Sequence, residues 1–306
     1  MSKVWVTGDA VVDLIPNTDT TYLKCPGGAP ANVAVAIARL GGETGFFGRV
    51  GQDPLGRFMK QTLSNEKVNT DFMLLDDAQR TSTVIVDLDE SGERSFTFMV
   101  KPSADQFMQV SDIPEFNKGE WLHVCSIALA NEPSRGATLE AMKRIKQAGG
   151  FVSFDPNLRD EVWGDQSLIK PVCQQAIALA DVVKFSDDEL IFLTETDNLD
   201  AGIAALGEYN NTLVLITQGA KGALVIRDSE QQLIAGTPVK PVDTTGAGDA
   251  FVGGLLTRLS KTADWINDET IVDAVRWANG CGALATTQKG AMTALPSEQA
   301  LIDYIK

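Results

Sequence analysis

Gly246, Ala247, Gly248 and Asp249 set a backbone almost free of side chains beside one carboxylate, and a strongly apolar stretch follows at once. Phe251, Val252, Leu255, Leu256 and Leu259 fall at helical spacing, which predicts a helix beginning at about Asp249. The first turn of such a helix presents unpaired N–H groups and the positive end of the helix dipole, so it attracts anions. Asp249 at that spot has two readings. It is an N-cap, a role in which aspartate is favoured. Or it is a base, placed to take the proton of a hydroxyl that attacks a phosphate held by those N–H groups.

The rest of the chain has to position this stretch. Short β-rich runs, such as "KVWVTGD", "TGFFGRVG", "EWLHVCS", "GFVSFDPN", "DVVKFS" and "TLVLITQG", alternate with helical ones. That alternation predicts an α/β fold, a doubly wound and mainly parallel sheet with helices on both faces. Several predicted strands end in polar residues: Thr7–Gly8–Asp9, Asp155–Pro156–Asn157, Lys184–Phe185–Ser186 and Thr217–Gln218–Gly219. Ligands of open parallel sheets bind outside the carboxyl ends of the strands, so these residues predict a site at one sheet edge. Two segments, approximately 11–26 and 80–101, break the alternation and read as strands around turns, the second through Asp89–Gly92. Strand pairs without covering helices predict a small β-sheet standing off the main body, a lid or an oligomer contact.

Composition narrows the function. A chain of 306 residues with 44% hydrophobic and 22% charged residues reads as an ordinary globular protein, and no linker or repeat divides it. A net charge of −15 argues against nucleic acid and acidic membranes as partners. No signal-peptide layout or membrane-span-length apolar run is seen, and four scattered cysteines without a CxxC pair suit a reducing compartment; the expectation is a cytoplasmic protein. The one histidine, His123, lies inside an apolar run, which points to a structural role and away from zinc or a histidine-based triad. Neither GxxxxGK[ST] nor an opening GxGxxG occurs, against a P-loop or a nicotinamide enzyme.

Glycine-rich turns remain at Gly27–Gly28, Gly219-x-x-Gly222 and Gly246–Gly248, and their combination, order and separation are specific. "GGAPANVAVAIARLGG" at 27–42, "GRVGQDPLG" at 48–56 and "DTTGAGDAFVGGL" at 243–255 resemble the signatures of the PfkB, or ribokinase-like, carbohydrate kinases over essentially the whole chain. The stretches "PGGAPANVA", "GERSFTFM", "SFDPNLR" and "KGAMTALP" are most similar to bacterial members that act on fructose. The resemblance implies one ribokinase-like domain over 1–306, with the two strand-rich segments as its lid. It also implies transfer of phosphate from ATP to a sugar's primary hydroxyl, fructose giving fructose 6-phosphate. Aminoimidazole riboside, 2-keto-3-deoxygluconate and ribose are the alternative acceptors, and an inactive sugar-binding regulator is the alternative of another class. By resemblance Asp249 is the general base, and the N–H groups of Gly246, Ala247, Gly248 and Asp249 form the anion hole.

The same resemblance assigns the sugar to Asp9, Asp13, Gly28 and Asn32, with Arg94, Phe96 and Phe98 on a lid strand and Arg159 beyond "DPN". Asp9 has a turn-supporting alternative, Asn32 a helix-start one, the lid phenylalanines a core one and Arg159 an exposed one. Lys184 and Glu189, in the N/K-xxE-like segment "KFSDDE", are implied to face phosphates and, through water, Mg²⁺. Thr217, Gly219, Lys221 and Gly222 belong to the implied phosphate and ribose loop, and Asn279 borders the adenine. A K⁺ site is implied at Asp243 and Thr245 with the carbonyls near Ala285, Gln288 and Gly290, although Ala294 stands where relatives can supply a hydroxyl. The lids of two subunits would clasp into a homodimer.

Overall fold

Strand composition sorts the chain into two sheets. In this computed structural model, which describes residues 1–88, 94–208, 211–227 and 230–305, the strands are Val4–Thr7 (β1), Val11–Thr18 (β2), Thr21–Gly27 (β3), Thr44–Gly51 (β4), Met73–Asp76 (β5), Thr83–Leu88 (β6), Arg94–Phe98 (β7), Trp121–Cys125 (β8), Phe151–Asp155 (β9), Val182–Ser186 (β10), Leu213–Thr217 (β11), Gly222–Arg227 (β12) and Glu230–Ala235 (β13). The helices are Ala29–Arg39 (α1), Pro54–Asn65 (α2), Ser134–Gln147 (α3), Ile169–Leu179 (α4), Asp187–Thr194 (α5), Leu199–Ala205 (α6), Ala247–Leu259 (α7), Asp268–Ala285 (α8) and Glu298–Ile305 (α9). β1, β4, β8, β9, β10 and β11 are apolar on consecutive residues and almost wholly buried, as strands covered on both faces must be.

These form a nine-stranded sheet in the order β13-β12-β11-β10-β9-β8-β1-β4-β5. Every pairing from β5 to β11 is parallel, and β12 and β13 close the edge as an antiparallel meander. That edge departs from the alternating pattern because the turn between β11 and β12 is too short to hold a crossover helix. α1, α7 and α8 pack over one face with Val6, Phe46 and Leu215, and α3, α4 and α5 cover the other with Val124, Phe154 and Ile216.

The second sheet has four strands in the order β3-β2-β6-β7. Its buried cluster is small: Val11, Val84 and Val86, with Ile15 and Phe98 against them. Tyr22 and Leu23 on β3 are 54% and 52% exposed. The turn expected at Asp89–Gly92 lies outside the described residues. One carboxylate ties this sheet to the larger body. Asp53 Oδ1 caps α2 by accepting from the Leu55 and Gly56 N–H groups, and it also takes the Thr81 hydroxyl; Oδ2 accepts from the Thr81 N–H, just before β6.

Candidate active site

The parallel strands of the large sheet deliver their carboxyl ends to one edge, and the first turn of α7 meets them there. α7 begins two residues before the position that the apolar spacing predicts. Gly246 is its N-cap, with φ 78°, a left-handed conformation that glycine tolerates, and a Cβ at that position would lie 2.9 Å from Ala291. Asp249 is therefore not the N-cap. It stands in the first turn, and its Oδ2 accepts from Asn32 Nδ2 of α1 at 2.8 Å. The Ala247 N–H donates to the Thr244 carbonyl at 3.2 Å, while Gly246, Gly248 and Asp249 of the expected N–H set border the cleft.

A cleft of about 1290 Å³ opens between this turn and the small sheet. Asp9, Asp13, Gly28, Asn32, Phe98 and Arg159 border it, Asp13 and Phe98 from strands of the small sheet. Gly28 has φ 96°, and a Cβ there would stand 2.6 Å from the Asp9 carbonyl, so the turn into α1 closes against β1 only with glycine. Arg159 is exposed at the mouth and donates to the Leu158 carbonyl. Phe98 is half-buried; the side chains of Arg94 and Phe96, its neighbours on β7, lie outside the described part. Asp155 and Lys184 form the floor, with Lys184 Nζ 2.9 Å from both Asp155 oxygens. Asp155 was not among the residues that motif reading selected; the polar "DPN" ending of a buried strand was its signal.

Burial crowds these charges and moves their equilibria. Burial pushes Asp249 up to about 6; Asn32's hydrogen bond works against the rise, Asp155 adds to it, and Lys184 and Arg159 oppose it. Asp9 is pushed up to about 8, first by burial and then by Asp105, and its Oδ1 has no hydrogen-bond partner. Burial disfavours the Lys184 charge, yet Asp155 and Glu189 outweigh it and hold the ammonium above its ordinary range. His123, buried in β8 beside Ser153, is depressed to about 3 by burial first and then by Lys184, so it stays neutral inside the sheet.

Of the expected nucleotide residues, Lys184, Gly246 and Gly248 line this cleft, whereas Glu189, Thr217, Gly219, Lys221, Gly222 and Asn279 do not. Glu189 Oε2 accepts from the Ser186 N–H and Oε1 from the Leu158 N–H, while Ser186 Oγ accepts from the Glu189 N–H. The pair is a capping box on α5, and it corrects the reading of "KFSDDE": the residue three before Glu189 is Ser186, and Lys184 is five before it. Ser186-x-x-Glu189 was legible as that signature. Thr217 Oγ1 donates to the Phe185 carbonyl, and Gly219–Lys221 form a tight turn with Lys221 exposed before Gly222 opens β12. Asn279 of α8 donates to the Ile234 and Ala235 carbonyls and so fastens β13.

At the rim, Asp243 Oδ1 accepts from the N–H and hydroxyl of Thr245, and Oδ2 accepts from the Gly290 N–H. Asp243, Thr245 and Gly290 thus come together, whereas Gln288 is exposed and Ala285 buried at the end of α8. Ala294 is buried and carries no hydroxyl; Thr293, which has one, donates it to the Lys289 carbonyl. Among the described residues no cluster of three or more His, Cys, Asp or Glu side chains can hold a metal, and no helix is long and apolar enough to cross a membrane.

Comparison with known proteins gives the setting. The model of the pfkB family carbohydrate kinases matches residues 1–298. The chain is 65% identical over 305 residues to a fructokinase of Vibrio alginolyticus, covering 100% of this chain and 99% of that one. It superposes with TM-score 0.97 on the crystal structure of Vibrio cholerae fructokinase with fructose, ADP and calcium, at 64% identity and covering 100% and 99% of the two chains. An engineered double mutant of that protein, with fructose, ADP and potassium, gives the same TM-score, identity and coverage. An aminoimidazole riboside kinase from Salmonella enterica, complexed with aminoimidazole riboside and an ATP analogue, follows at TM-score 0.93 and 42% identity, covering 100% of both chains.

Proposed function

We infer that this chain, which belongs to the pfkB family of carbohydrate kinases and has the ribokinase-like fold, is a fructokinase that transfers the γ-phosphoryl group of ATP to the primary hydroxyl of fructose. The observation that carries the reading is the meeting, in one cleft, of the Asp249 carboxylate, the open N–H groups of the α7 turn and the Lys184 ammonium. Phosphoryl transfer needs mainly alignment and stabilisation of spreading charge, and these groups supply a base, an anion site and a cation for it.

In the proposed mechanism Asp13, Asn32, Asp9 and the Gly28 backbone hold the sugar hydroxyls, Phe98 covers the ring, and Arg159 reaches in from the mouth. Asn32 anchors Asp249 Oδ2, which leaves Oδ1 to accept the hydrogen bond of the attacking hydroxyl. As the new O–P bond forms, that hydroxyl's proton passes to Asp249, and the bond from the γ-phosphorus to the bridging oxygen breaks with its electron pair leaving on ADP. The Gly246, Gly248 and Asp249 N–H groups and Lys184 receive the charge on the phosphoryl oxygens. Closure of the small sheet over the sugar excludes water. Thr217, Gly219, Lys221, Gly222 and Asn279 are assigned to the nucleotide; with its amide committed to β13, Asn279 would border the base by packing.

Mg²⁺ would neutralise nucleotide phosphate charge, and Glu189, both of whose oxygens already hold main-chain N–H groups, suits contact through water only. For K⁺, the carboxylate of Asp243, the hydroxyl of Thr245 and the carbonyls of Ala285, Gln288 and Gly290 make an all-oxygen set suited to a hard cation. The proposal further takes 1–306 as one kinase domain, the small sheet as its lid, the exposed Tyr22 and Leu23 as part of a homodimer contact, and the cytoplasm, where its four cysteines stay reduced, as its compartment. ADP release with Mg·ATP, with and without K⁺, across fructose, aminoimidazole riboside, 2-keto-3-deoxygluconate and ribose tests it. Preferential turnover of fructose is expected. Preference for the riboside overturns the acceptor, and fructose binding without turnover on any acceptor overturns the kinase.

A further inference from the structure

Asp155 sits at the floor of the cleft, yet the mechanism above gives it no task. It ends β9, is buried, and spends both carboxylate oxygens on Lys184 Nζ. The pairing of Ser153 with Val182 and Phe154 with Val183 sets β9 against β10 so that Asp155 and Lys184 come side by side at the sheet edge. A Cβ on Gly248 would lie 3.4 Å from that Nζ, so the ammonium stands between the carboxylate and the first turn of α7. An ammonium has three donors. Asp155 takes two of them, and one remains for a ligand of the cleft. A free lysine is a mobile point charge that would have to be ordered on each turnover; this one is ordered beforehand.

We propose that Asp155 is a positioning residue for phosphoryl transfer, fixing Lys184 Nζ at the α7 terminus so that the ammonium meets the phosphoryl oxygens already oriented. The inference rests on the kinase reading and on Lys184 facing the phosphate. A pair kept for stability alone has no need to line the cleft, and buried ion pairs are in general poor stabilisers. Because the pair also faces Asp249, it leaves a second mark. Asn32 from α1, Asp155 from β9, Arg159 from the loop after β9, Lys184 from β10 and Asp9 from beyond the end of β1 surround that carboxyl, and Asp155 and Lys184 push it in opposite directions.

Wild-type turnover of fructose is measured first, since its absence defeats the kinase reading itself. Asp155→Asn is then expected to lower kcat about 100-fold, in the range seen on losing one charge-stabilising donor, with the KM for fructose little changed. The acid limb of its kcat/KM profile moves to lower pH, and that of Lys184→Met moves to higher pH. In the double variant the added Asp155→Asn change costs no further kcat beyond Lys184→Met. If Asp155→Asn alone does not fold, the double variant, which buries no unpaired charge, decides by comparison with Lys184→Met. Wild-type kcat in folded Asp155→Asn, unshifted acid limbs in both single variants, or a further large loss in the double variant overturns the proposal.

Discussion

At the edge of the large sheet Asp9, Asp155, Lys184 and Asp249 are all buried, held by helices on both faces; across the cleft, the small sheet rests on a cluster of three valines. The first region bears the cost of crowding charge away from water, and its raised carboxyls record it. The second has little apolar burial of its own and presents large side chains to solvent. The difference fits what the proposed function asks of each. A group that receives a proton or stabilises charge has to stay in place, and only a frame packed on both sides holds it there. A part that opens for each substrate must have a small opening free energy, so a thin core serves it.

Asp249→Asn strikes the rigid side hardest. It keeps shape and the Asn32 contact but removes the base, and kcat should fall about 10³- to 10⁴-fold, read as ADP release; a loss of a few fold would remove Asp249 from the reaction. Gly246→Ala should come next. Its Cβ meets Ala291 and the left-handed backbone is strained, so we expect a fall of about 1–2 kcal/mol in stability by denaturant titration, together with lost turnover as the N–H groups turn away.

The pH profile offers a gentler probe. In the proposed mechanism Asp249 works as the carboxylate, and since it is pushed up to about 6, kcat/KM should fall about tenfold per pH unit below that value and level off above it. Asn32→Ala, which deletes the hydrogen bond that opposes the rise, should move this limb to higher pH; a limb that stays put would separate the two residues. Val84→Ala addresses the thin sheet and should have the smallest effect: a several-fold higher KM for fructose, little change in kcat, and faster hydrogen exchange confined to the small sheet. Global unfolding in place of that local change would break the contrast between the two regions.

Legibility in the sequence followed the range of the interactions. The helix of the carboxyl-terminal motif, its glycines and its aspartate are encoded within a dozen residues, and the parallel sheet is announced by its apolar runs. The start of α7 was missed by two residues because the left-handed turn at Gly246, not the apolar period, sets it. Asp155 and Lys184 are 29 residues apart and meet only through the register of two strands, which no local pattern encodes. Both strand ends were read as facing one sheet edge and Lys184 was then assigned by resemblance, but the pairing of the two was not foreseen. Glu189 was assigned to Mg²⁺ through water, and its spacing from Ser186 also spelled the helix cap that it forms.

The double use of Asp53 makes one carboxylate the hinge post between the two sheets. Its one carboxylate starts α2 and pins the chain at Thr81, so the path into the small sheet is fixed at a joint within the larger body. The start of α2 and the entry to β6 therefore share one anchor, so Asp53→Ala would loosen the helix end and the approach to the small sheet together.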